Sequence, residues 1–113
     1  MKKLVFLFAI LLGFTVAAYS QTVQAPVTAD QKADQVVSKL KDNLSLSDEQ
    51  VTNIKGITLN RIAKVTDARK KYGADKQRVQ SASKLAYDEW ENQLKGILTT
   101  EQYNKFIETK NQY

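Results

Sequence analysis

The 113-residue chain contains no cysteine and no histidine, and its one methionine is Met1. Without cysteine there is no disulfide to staple a small secreted domain, and no thiol that a lipoprotein would acylate. Without histidine, cysteine or an internal methionine, the usual ligands of zinc, copper and nickel are missing, so no metal site is expected. Catalysis is narrowed in the same way. A general base would have to be a carboxylate or a lysine, and neither a Ser-Lys arrangement nor a phosphate-cradling glycine loop occurs. The sequence therefore predicts neither an enzyme nor a bound cofactor. Proline occurs once, at Pro26, and glycine only at Gly13, Gly56, Gly73 and Gly96. With so few breakers and so much Lys, Gln, Glu, Ala and Leu, helix is expected throughout the chain beyond the proline.

One long apolar run is present, at the N-terminus. Lys2 and Lys3 precede Leu4 to Leu12, and after Gly13 the run continues through Phe14, Thr15, Val16, Ala17 and Ala18. Charge, then an apolar stretch, then small residues is the order of a cleavable signal peptide. A membrane span needs about 20 apolar residues, and polar Ser20 and Gln21 arrive before that. Ala18 and Ser20 fit a cut ahead of Gln21, and Val16 with Ala18 fit one two residues earlier. The expected division is a signal peptide at 1–20, an extended leader at 21–27 and one helical domain at 28–113. With the later cut, 93 residues remain, enough for one small core and not for two domains. Loss of Lys2 and Lys3 leaves 15 basic against 12 acidic residues, a net charge of +3. That balance is too mild for nucleic-acid binding, and with no anchor left the mature chain is expected to be free of the membrane.

Four helices are expected in the domain. The first is capped by Thr28, with Gln31 completing a capping box, and carries Ala33, Val36, Val37, Leu40 and Leu44 on one face against Lys32, Asp34, Lys39 and Lys41. The second starts at Ser47 and continues a stripe of Val51, Ile54, Thr58, Ile62, Val65, Ala68 and Tyr72, widened by Ile57 and Leu59. Arg69, Lys70 and Lys71 suit the negative end of its dipole, and Gly73 suits its stop. Asp75 caps a third helix with Val79, Ala82, Ala86, Trp90, Leu94 and Ile97 on one face, flanked by Leu85 and Tyr87. A short fourth from Thr99 presents Tyr103, Phe106 and Ile107 before a polar end. The fold class expected is all-α, a small single domain with a long central antiparallel hairpin made by the second and third helices.

Two stretches repeat one pattern: Leu46-Ser47-Asp48-Glu49-Gln50 before Val51, and Leu98-Thr99-Thr100-Glu101-Gln102 before Tyr103. In each, the hydroxyl of Ser47 or Thr99 can accept from the third helical amide while Gln50 or Gln102 returns a bond to the cap. Leu46 on Val51, and Leu98 on Tyr103, would staple the same turn. Leu46, Ser47, Gln50, Leu98, Thr99 and Gln102 are thus expected to be architecture. Twice over, in a cysteine-free, helical chain with a signal peptide, the pattern resembles the Spy/CpxP family of periplasmic proteins, whose hallmark is a doubled Leu-Thr-x-x-Gln motif. The resemblance runs over most of residues 40 to 108, with Ser47 standing where the motif has threonine.

That resemblance implies a curved, often dimeric, all-helical periplasmic domain. Its members act as ATP-independent chaperones, as inhibitors of envelope-stress sensors or as metal-responsive proteins, and the missing ligands argue against the third. The leading expectation is a chaperone-like protein holding unfolded or stress-damaged clients, with Arg61, Lys64, Arg69, Lys70, Lys71 and Arg78 as contact residues beside apolar side chains. The alternative is a non-catalytic regulatory module that docks one envelope-stress sensor.

Overall fold

The structure is a computed structural model that describes residues 26–113. The expected signal peptide at 1–20, and the leader up to residue 25, lie outside the described residues. Four α-helices follow in order and no strand occurs among the described residues: α1 (Ala29–Leu44), α2 (Asp48–Tyr72), α3 (Lys76–Ile97) and α4 (Thr100–Thr109), with a 3-10 turn at Lys110–Gln112.

Each helix begins on a side-chain cap. Thr28, Ser47 and Thr99 each sit in an extended conformation, accept through the hydroxyl from the backbone amide of Gln31, Gln50 and Gln102, and donate their own backbone amide to the glutamine side-chain oxygen in return. Asp75 accepts from the amide of Arg78 at 3.2 Å and starts α3. Stops are as local as starts. Ser45 adopts a left-handed conformation (φ 55°, ψ 56°) with its amide donating to Lys41 O at 2.9 Å. This reversal places Leu44 and Leu46 in the same core on either side of it.

At 1.5 Å per residue, α2 is about 37 Å long, and α3 runs back along it: Thr58 faces Trp90, and Arg61 lies over Trp90 and Tyr87. α1 packs on one end of this hairpin, tied through Lys55 to Asp34 at 2.9 Å and Asp30 at 3.3 Å. The core sits where the three helices and α4 meet, built from Val37, Leu40, Leu44, Leu46, Ile54, Trp90, Leu94, Leu98 and Phe106. Trp90 meets Phe106 edge-on, with ring centroids 5.8 Å apart. Beyond Ile57 on α2 and Tyr87 on α3 no residue belongs to this cluster, and the hairpin continues as a two-helix arm. Small buried Ala68 and Ala86 keep its helices together.

One expectation is corrected. The chain does not end in a merely polar tail: the Tyr113 ring stacks on Phe106 at 5.7 Å and its hydroxyl accepts from Asn43 of α1 at 2.6 Å. The 3-10 turn makes this contact by turning the last residue back over the core. The apolar stripe of α2 is buried only in part. On α2 only Ile54, Thr58 and Ala68 are fully buried, while Ile62, Val65 and Tyr72 are half-buried because no third helix covers the arm. No described helix is long and apolar enough to cross a membrane.

Candidate functional site

The two repeated motifs, 52 residues apart, come together at the closed end of the molecule. Gln50 Nε2 donates to Gln102 Oε1 at 2.7 Å, and Gln102 Nε2 lies 3.2 Å from Gln50 Oε1. Each amide nitrogen also donates across the junction to a backbone carbonyl, Gln50 to Ile97 O and Gln102 to Leu44 O, both at 3.2 Å. Those carbonyls lie at the ends of α3 and α1, where the last turn of a helix leaves acceptors unpaired. Each glutamine oxygen still accepts from its own cap, Ser47 N or Thr99 N, at 3.0 Å. One side chain thus starts one helix, finishes another and grips its counterpart. The staple leucines Leu46 and Leu98 are buried, with Val51 and Tyr103 packed on the same core. The polar groups of Ser47, Gln50, Thr99 and Gln102 are thus engaged within the protein, while Ser47 and Thr99 stay exposed and line, with Gln50, an open surface cleft.

A second constellation lies beside the first turns of α1, where the arm begins. Thr58 is fully buried, its hydroxyl donating to Ile54 O at 2.7 Å and accepting from Trp90 Nε1 at 2.9 Å. One turn further, the Arg61 guanidinium stacks on the Trp90 ring at 4.3 Å and reaches Tyr87 at 5.5 Å. Its Nη1 is shut off from solvent and has no acceptor. Burial pushes the Arg61 pKa down, as expected for a cation stripped of water without an anion beside it. Burial, with Glu91 nearby, pushes the Tyr87 phenol up.

Arg61 also lines an open cleft of about 190 Å³ together with Lys32 of α1 and Ile62, Val65, Thr66 and Arg69 of α2. None of these six is acidic. Of the other candidate contact residues, Lys64 is paired with Glu89, and Arg78 is paired with Asp75 at 3.3 Å. Lys71 and Arg78 both lie over the Tyr72 ring, at 5.5 and 5.6 Å, while Lys70 is exposed near the arm's tip. The six cations therefore do not form one patch: Arg61 and Arg69 share the cleft, Lys70, Lys71 and Arg78 surround the tip, and Lys64 lies with Glu89 beside α3. The acidic residues Asp88, Glu89 and Glu91 each hold a lysine, Lys84, Lys64 and Lys110. Among the described residues no three acidic side chains converge to hold a metal ion.

No protein-family profile, curated protein or solved structure matches this chain. The site must therefore be read from its own chemistry. Lys32 and Thr58 were not singled out by sequence reasoning. Lys32 falls on the charged face of α1, and only the crossing of α1 over α2 brings it beside Arg61. Thr58 reads as a filler in an apolar stripe, and a lone Trp on the facing helix is the one signal that a buried hydroxyl has a donor to meet.

Proposed function

We propose that this chain is a non-catalytic, ATP-independent protein-binding factor of the periplasm, which holds unfolded or stress-damaged proteins. The observation that carries this reading is the uncovered arm. From the level of the α1 start outward, half-buried Ile62, Val65, Tyr72, Val79 and Ala82 and exposed Leu85 (61%) alternate with Arg69, Lys70, Lys71 and Arg78. Such a surface attracts acidic chains over distance and offers short-range apolar contact without a deep pocket, which suits weak binding of many sequences better than one small molecule. The residues at 1–20 support export, and the doubled motif supports kinship with Spy/CpxP proteins.

The test is suppression of aggregation of a reduced or chemically denatured model client by the purified mature domain, at low and at physiological salt. Slower light-scattering growth at near-stoichiometric ratios, weakened by salt, is expected. No suppression at either salt concentration would overturn the reading, and recovery of a single stoichiometric partner by pull-down would replace it with the regulatory module.

A further inference from the structure

Arg61 presents an unresolved account. A guanidinium is a five-donor cation that proteins bury only with acceptors to match. Here Nη1 is removed from water with no partner, the rest of the half-buried group faces an open cleft, and the ring faces of Trp90 and Tyr87 lie against it with no carboxylate paired to it among the described residues. The cleft it lines adds two more cations, Lys32 and Arg69, and neither is in an ion pair among the described residues. Acids nearby on α1 are already engaged: Asp30 and Asp34 both turn to Lys55. The cleft thus holds three unmatched positive charges around the aliphatic side chains of Ile62 and Val65.

We propose that this cleft is a carboxylate-recognition site for an acidic residue on an extended polypeptide. Arg61 is the anchoring donor, Lys32 and Arg69 are flanking charges, and Ile62 and Val65 seat a neighbouring aliphatic side chain. The proposal rests on the protein-binding reading above and names the class of segment that one part of the surface selects. Size and lining favour a peptide over a free lipid. About 190 Å³ with two aliphatic walls accommodates a carboxylate and one branched side chain, and it is too short and open to enclose an acyl chain. The planar fork of an arginine pairs with a carboxylate through two parallel bonds, so an incoming acid would meet the edge of the Arg61 guanidinium that lines the cleft while the guanidinium stays stacked on Trp90.

Trp90 is the only tryptophan of the chain and reports directly on Arg61. The experiment titrates the protein with the acetylated, amidated pentapeptide Ala-Leu-Glu-Leu-Ala and with its Gln counterpart, following tryptophan emission and backbone amide NMR shifts. The acidic peptide should bind about tenfold more tightly, the equivalent of one charge-assisted hydrogen bond, with shifts concentrated at residue 32 and residues 61–69. The exposed double variant Lys32→Gln with Arg69→Gln, which touches no core contact, should lose at least about threefold in affinity and retain its helical circular dichroism. Arg61→Gln should abolish the preference for Glu. Equal binding of the two peptides, shifts confined to the arm's tip or to the paired glutamines, or unchanged affinity in the double variant would each overturn the proposal. So would decanoate displacing the acidic peptide at lower concentration than the peptide itself binds. Aggregation suppression that survives both variants removes the cleft and leaves the holding activity. Selective acidic-peptide binding without any aggregation suppression leaves the cleft and removes that activity.

Discussion

Thr58 and Arg61 occupy successive turns of α2 over the same indole, and they show two ways of placing polar atoms against a core. Thr58 is the closed case: its hydroxyl gives one bond to Ile54 O and takes one from Trp90, so a fully buried oxygen is satisfied. Thr58→Val keeps the shape and removes the acceptor, which leaves the Trp90 N–H buried without a partner. A loss of about 1–3 kcal/mol in urea unfolding is expected, with a shifted tryptophan emission. An unchanged midpoint would mean that Trp90 finds another acceptor. Arg61 is the open case, a half-buried guanidinium stacked on aromatic faces with one donor unpartnered, and so the better candidate for binding than the paired lysines Lys55 and Lys110. Hydrogen bonds donated to Asp34 and Asp30 raise the Lys55 pKa and one donated to Glu91 raises that of Lys110, because both ammonium groups have their acids beside them.

Helix ends, more than helix middles, determine how the elements join. The starts of α2 and α4 each carry a capping box, and the glutamines of the two boxes bind each other and close the last turns of α3 and α1. Capping alone would make Gln50 and Gln102 independent. The observed pair makes them coupled. Gln50→Ala and Gln102→Ala are each expected to cost about 1–2 kcal/mol, and the double variant should cost less than the two together by at least about 0.5 kcal/mol. A double-mutant cycle by chemical denaturation reads this directly, and strict additivity would mean that the side chains serve only their own caps. The same junction explains why α4, only ten residues long, is stable where an isolated helix of that length is not. It is held by its box, by Phe106 in the core and by Tyr113 folded back on Phe106.

The molecule as a whole divides into a packed four-helix end and a projecting two-helix arm, and its charge follows the same division. Arg69, Lys70, Lys71, Lys76 and Arg78 lie near the arm's tip with only Asp67 and Asp75 among them, while Asp48, Glu49 and Glu101 gather at the first turns of α2 and α4. An acidic chain is therefore drawn towards the arm and away from the paired motifs. Stability has its own charge dependence. Tyr87, Lys55 and Lys110 all have pKa values raised in the folded state, from ordinary values of 10.0, 10.5 and 10.5. The folded chain therefore holds these protons more tightly than the unfolded chain. Their contribution is complete below about pH 10 and is lost as pH rises through the folded values. The melting temperature should hold from neutral pH to about 10 and fall above it, and Tyr87→Phe should remove part of that fall. A melting temperature that rises above pH 10 would contradict the sign.

Periodicity and caps were legible along the chain because both act within four residues: the spacing of Ile54 and Thr58, the Thr28 to Gln31 box and the Ser47 and Thr99 starts need no distant partner. The all-helical class and the helix starts follow from those alone. What the chain could not disclose is what acts across it. The glutamines meet over 52 residues, Lys32 reaches Arg61 only where α1 crosses α2, and Tyr113 returns to Asn43 over 70. Half of the arm's apolar stripe stays uncovered for the same reason, since α1 starts too late to reach it. Local hydrogen bonding and helical spacing determined the elements, whereas packing in three dimensions decided which polar groups were satisfied within the protein and which, Arg61 Nη1 above all, were not.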